Sequence, residues 1–159
     1  MLKDRTAQLW LALLSTSIAL EIAALYFQYV LDYGPCILCV QIRAVLFVVI
    51  LLAALALLLP VARKLTTVLL TPCTLTFAWF CYQVLGIERG WFEGSCTFEP
   101  AFPAWIPLHE WLPSVFEPWE LCGYTPDILL GITMAETLVG LAGLFLIANI
   151  FLLKDFRRQ

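Results

Sequence analysis

The chain has 159 residues, of which 62% are hydrophobic and 13% charged, with a formal net charge of −3 and a mean hydropathy of +0.92. A soluble domain carries about a quarter charged residues, so this composition excludes an ordinary water-soluble globule, and the acidic balance gives no reason to expect a nucleic-acid partner. The long apolar runs place the chain in the membrane class.

The first apolar run covers 9–30. It is longer than the core of a cleavable leader, roughly 7–15 residues, and no small-x-small cleavage site follows it. It is therefore expected to remain as a spanning helix. Glu21, at its middle, needs a hydrogen-bond partner or a proton in that environment. A second span is expected over 39–59, ended by Pro60, and a third over 66–87, followed by Gly90. The third holds Pro72, Cys73, Thr74, Thr76, Cys81 and Gln83, so one face is expected to pack against protein, with Pro72 in its first turns or at a kink. A fourth span is expected over 129–153 and contains a second acid, Glu136, given a packing or proton role. The fold class read from these runs is an all-α membrane protein, a four-transmembrane-helix bundle forming one membrane domain over 1–159.

Basic residues set the orientation. Lys3, Arg5, Arg63, Lys64, Lys154, Arg157 and Arg158 flank the spans on one side and account for seven of the nine Lys and Arg. The positive-inside rule then puts both termini in the cytoplasm and the connections 31–38 and 88–128 outside. The second outer loop interleaves Trp105, Trp111 and Trp119 with Pro103, Pro107, Pro113 and Pro118. Tryptophan favours the membrane–water interface and repeated proline prevents a long helix. The loop is expected to lie on the bilayer surface, with one short amphipathic helix around 108–115; a compact loop with an aromatic core is the alternative. Its single histidine, His109, is read as a loop residue.

The chemistry is concentrated in "YGPCILCVQIRAVLF", 33–47. Gly34-Pro35 breaks the chain, so a helix begins at Cys36 or just after it. Cys39 then falls in the first turn, near free backbone N–H groups and the positive end of the helix dipole, a setting that lowers a thiol pKa. A Cys-x-x-Cys bond closes a very small ring and does little for stability, whereas it holds two thiols ready for exchange. Arg43, four residues after Cys39, lies on the same helix face. It is expected to support a Cys39 thiolate, to bind a polar ligand head group, or both; snorkelling to the interface is the bland alternative.

Cys96 and Cys122 lie in the second outer loop and enclose 97–121, a loop long enough for a bridge to restrain it. They form either a structural bridge or the second half of a relay that exchanges disulfides with the first pair. The spacing does not suggest a metal site. Cys73 and Cys81 read as buried, inert residues.

Four spans, "PCILCVQIR" heading the second and paired cysteines in the second outer loop resemble the disulfide bond formation protein B (DsbB) family. The stretches "ALEIAALYFQYV" and "FPAWIPLHEWLPSVF" extend the likeness over nearly the whole chain. The resemblance implies a quinone-dependent thiol:disulfide oxidoreductase of the bacterial inner membrane. It would reoxidise a periplasmic DsbA-like dithiol oxidase and pass the electrons to ubiquinone or menaquinone. By resemblance, Cys36 and Cys39 are the pair oxidised by quinone, with Cys39 meeting its ring and Arg43 and Met134 beside it. Cys96 forms the mixed disulfide with the partner, and Cys122 pairs with Cys96 and exchanges with Cys36. DsbA-type oxidases are already strong oxidants, at about −120 mV, so the driving force must come from the quinone. Ile42 stands where some members carry an acid, and Glu88-Arg89 stands where a histidine occurs elsewhere. The rival readings are a DsbI-type paralogue with a dedicated partner, a vitamin K epoxide reductase-like enzyme, whose Cys-x-x-Cys is expected late in the chain, and a structural membrane protein with static disulfides.

Overall fold

The computed structural model describes residues 5–91, 93, 102, 106–123, 125–129 and 131–156. Cys96, Pro103, Trp105, Lys3, Arg157 and Arg158 lie outside the described residues. Four long helices, α1 (Arg5–Tyr29), α2 (Ile37–Leu58), α3 (Arg63–Glu88) and α6 (Met134–Phe156), are each long and apolar enough to cross a bilayer. Between α3 and α6 come two one-turn helices, α4 (Leu108–Trp111) and α5 (Pro113–Phe116), and a small antiparallel hairpin, β1 (Asp127–Leu129) with β2 (Ile132–Thr133).

Each long helix buries one stripe and leaves the rest to lipid. On α1 the stripe is Trp10, Leu13 and Ser17, and on α2 it is Leu46, Val49, Ala53 and Ala56. These spacings of three and four residues follow the helical repeat. The alanines, fully buried, let neighbouring backbones approach closely, which is how helices associate in lipid. On α3 the buried face is Thr66, Leu70, Thr74, Phe77, Cys81 and Val84. It meets α6 through Phe77 and Phe145, whose ring centroids are 5.2 Å apart. Thr71 Oγ1 also donates to Asn149 Oδ1 at 3.3 Å across that seam.

The threonines of α3 satisfy themselves. Thr66, Thr67 and Thr74 hydroxyls donate to backbone carbonyls three or four residues earlier, at 2.7–3.1 Å. Such bonds make hydroxyls tolerable where no water is available. Pro72 sits inside α3, past its first two turns. Cys73 and Cys81 are free thiols on this helix, and Cys81 is fully buried.

Four helices running alternately bring the start of α1 and the end of α6 together, and Thr6 Oγ1 donates to Asp155 Oδ2 at 2.5 Å. At the opposite end α6 begins at Met134, five residues later than the apolar run suggests. Gly131, at φ 79°, turns the chain between β1 and β2. Thr133 and Glu136 then form a reciprocal cap: Thr133 N–H donates to Glu136 Oε2 at 3.2 Å and Glu136 N–H to Thr133 Oγ1 at 3.3 Å. Glu136 also pairs with Arg89 at the end of α3. It is thus a terminal cap, not a membrane-interior acid. The helix expected around 108–115 is split in two because Pro113, which cannot donate, opens a new first turn. His109 stacks on Phe102 at 6.0 Å.

Candidate functional site: three sulfurs at the head of α2

The first turn of any helix leaves backbone N–H groups without partners. Sulfur atoms fill that need in α2. Cys36 is the N-cap residue, with an extended backbone, and its Sγ accepts from the Cys39 N–H at 3.3 Å. The Cys-x-x-Cys spacing is the N-cap to N3 spacing, so one helix turn holds both thiols together, with Sγ atoms 2.7 Å apart. A third sulfur, Cys122 Sγ, comes from the long loop between α3 and α6 and stands close enough for the Ile37 and Leu38 amides to favour its charged form. The next N–H, of Val40, goes to the Cys36 carbonyl at 3.0 Å.

Cys36 stands between the other two. Its thiol hydrogen-bonds Cys122 and Cys39, which together with burial holds its pKa well above the usual thiol range. The bond from Cys36, helped by the Leu38 and Ile37 amides and opposed by partial burial, brings Cys122 down to about 6. Cys122 is therefore thiolate at neutral pH, while an ordinary cysteine titrates near 8.5. Alkylation of Cys122 in the reduced protein, followed by peptide mass spectrometry, should rise through a midpoint near pH 6 and level off above about pH 7. In a Cys36→Ala variant the midpoint should move up. A wild-type midpoint near 8.5 would contradict this electrostatic picture.

Beneath the sulfurs lies a cavity of about 120 Å³ between α1, α2 and the start of α6. Cys36, Cys39, Arg43 and Met134 line it, with Leu20, Phe27, Leu46 and Leu138 forming much of its apolar wall. Its composition, an oily cleft with a thiol and a cation at one end, suits a planar lipid-soluble acceptor with polar ring oxygens.

Arg43 is 5% exposed and does not snorkel to water. Its Nη1 donates to Gln28 Oε1 at 2.5 Å and to the Val115 carbonyl at 3.0 Å, and its Nη2 to the Ala24 carbonyl at 3.0 Å. Among the described hydrogen bonds none joins it to Cys39, which it reaches by charge alone. Gln28, also buried, uses its other end to donate from Nε2 to the Ser114 carbonyl at 3.0 Å, and Tyr29 Oη donates to the same carbonyl. The arginine therefore ties α1 and α2 to helix α5, in the loop between α3 and α6. Glu21, on α1, lies within the field of Arg43, and its Oε1 is buried with no hydrogen-bond partner among the described residues.

The structure thus gathers Cys36, Cys39, Cys122, Arg43 and Met134 at one end of the bundle. Gln28 was not singled out from the sequence. Its signal was a lone amide at the outer end of an apolar run, and its partner at Ser114 is 86 residues away.

Comparison with known proteins follows the same lines. The family described as "Disulfide bond formation protein DsbB" matches residues 5–152. A protein named disulfide bond formation protein B from Shewanella sp. (strain MR-4) is 37% identical over 134 residues, 82% of this chain and 77% of the relative. Proteins of the same name from Shewanella sp. (strain W3-18-1) and Shewanella loihica are 33% and 34% identical, each over 87% of this chain and 81% and 84% of theirs.

Proposed function

Because the chain belongs to the disulfide bond formation protein B family, a family of multi-pass membrane proteins that act in disulfide bond formation, we propose that it is a quinone-coupled thiol oxidase. In this reading it reoxidises a DsbA-like dithiol partner in the periplasm of a bacterial inner membrane, with both termini in the cytoplasm. The observation that carries the reading is the row Cys122–Cys36–Cys39, set at a helix N-terminus above an apolar cleft.

The partner's thiolate attacks Cys96 of a Cys96–Cys122 disulfide and releases Cys122. The Ile37 and Leu38 amides beside Cys122 favour its charged form, so that it leaves, and then attacks, as thiolate. Cys122 attacks Cys36, and the electron pair leaves on Cys39. Cys39 is held in the first turn of α2, at the positive end of the helix dipole and with Arg43 beside it on the cavity wall. A quinone in the cleft would supply a two-electron acceptor within reach of that sulfur. The partner's second thiolate then attacks the partner–Cys96 bond, so that the partner leaves as a disulfide, and the freed Cys96 attacks Cys122, re-forming their bond and releasing Cys36 as thiolate. Arg43, Met134 and the apolar wall would hold the quinone ring and exclude water while the Cys36 and Cys39 thiolates give up two electrons and re-form their bond.

Static bridges and a working relay respond differently to loss of the acceptor. In quinone-depleted membranes, thiol trapping should show the outer cysteines accumulating in reduced form. Cysteines that stay oxidised under those conditions would leave only a structural role for the two pairs.

A further inference from the structure

Cys122 meets Cys36 because the segment before it is seated on the short connection between α1 and α2. The Pro35 carbonyl accepts from the backbone N–H of Trp119 at 2.9 Å and of Glu120 at 3.4 Å. Gly34, next to it, lies directly under the same two residues. A β-carbon there would meet Glu120 Cγ at 2.8 Å, Glu120 Cδ at 3.2 Å and Trp119 Cβ at 3.2 Å. Gly34 is not among the glycines with positive φ, which are Gly90, Gly123 and Gly131. Its backbone therefore suits any residue, and the absence of a side chain serves the contact alone. Two residues beyond Glu120, Cys122 Sγ stands beside the Cys36 thiol and the first amides of α2.

We propose that Gly34 and Pro35 form a docking seat for residues 119–122, and that this seat sets the approach of Cys122 to Cys36 and so the rate of exchange between the two cysteine pairs. The proposal deepens the relay reading and rests on it. In the exchange, the Cys122 thiolate attacks Cys36 Sγ. The Cys36–Cys122 bond forms, the Cys36–Cys39 bond breaks, and its electron pair leaves on Cys39 as thiolate. No external oxidant or proton is consumed. Gly34 exchanges nothing with the reacting sulfurs and is a positioning residue. Misplacing reacting groups by about 1 Å can cost on the order of a hundredfold in rate. The Glu120 side chain can swing away from an added methyl, but Trp119 Cβ, fixed to its backbone, can give way only with the whole segment.

The test isolates the Cys36–Cys122 bond. In full-length protein carrying Cys39→Ala and Cys96→Ala, its effective concentration is measured by equilibration in glutathione redox buffers. A companion protein carrying Cys96→Ala and Cys122→Ala reports the Cys36–Cys39 bond in the same way. Gly34→Val should lower the Cys36–Cys122 value by about tenfold or more and leave the Cys36–Cys39 value within about twofold. Gly34→Ala should fall between wild type and Gly34→Val, and adding Glu120→Ala to it should restore little of the loss, because the Trp119 Cβ contact remains. An unchanged Cys36–Cys122 value in Gly34→Val would overturn the proposal. Equal weakening of both bonds would also overturn it, because the glycine would then serve the start of α2. Neither quinone nor partner enters this measurement, so it stands apart from the tests of the relay itself.

Discussion

Cys39→Ser is expected to abolish quinone reduction, by about a thousandfold or more, while leaving the protein inserted in the membrane. The size of the effect follows from where the sulfur stands. Cys39 is the only one of the three gathered cysteines that lies within a spanning helix, and it lines the cavity together with Arg43 and Met134. Cys122 reaches Cys36 from the loop between α3 and α6, so without Cys39 its attack on Cys36 has no thiolate to leave on. A serine keeps the volume and can accept the same helix-end hydrogen bonds, but its hydroxyl neither forms a disulfide nor leaves as a stable anion. The Cys36 thiol left without its partner can attack Cys122 in the Cys96–Cys122 disulfide and release Cys96, so the variant should accumulate a Cys36–Cys122 bond, seen as a mobility shift on non-reducing gels after thiol modification. Normal quinol formation in Cys39→Ser would remove this residue from the path.

Arg43→Met should lower turnover by about a hundredfold and also loosen the outer loop. Methionine fills much of the space but donates nothing. Gln28 Oε1 and the Val115 and Ala24 carbonyls would all lose their donor in a region where water cannot replace it. Hydrogen exchange over 108–116 should therefore accelerate together with the loss of activity. Arg43→Lys should recover only part of either property. The three acceptors lie on α1, on α5 and on the Gln28 amide, which a planar fork can reach at once and a single ammonium cannot. Full recovery by lysine, with unchanged loop protection in Arg43→Met, would mean that charge alone matters at this position.

Local patterns made the centre of this site readable. A Cys-x-x-Cys followed by arginine after Gly34-Pro35 defines a helix start, its N-cap and one face without reference to the rest of the chain. The spans were readable because an apolar run of this length has few other uses. The start of α6 was less plain, since Ile128, Leu129 and Ile132 look continuous with the helix that follows. Thr133 and Glu136, a Thr-x-x-Glu pair, carried the signal for the true start, outranking the hydropathy. What no local pattern could give was pairing across distance. Gln28 with Ser114, Glu88 with Thr125 and Trp119 with Pro35 depend on the loop folding back over the helix ends. The same is true of Arg43: its place on the cysteine face followed from spacing, but its use as a tether to α5 required the loop to be seen in place.

The most direct test is an anaerobic assay in proteoliposomes containing the protein and a membrane quinone, with a reduced DsbA-type dithiol protein outside. Quinol formation and partner disulfide formation are followed together. One quinol should appear for each partner disulfide, and both should stop when either cysteine of the Cys36–Cys39 pair is replaced. Partner oxidation without quinol, or quinol formation that survives loss of that pair, would contradict electron transfer from the outer thiols through the head of α2 into the lipid phase.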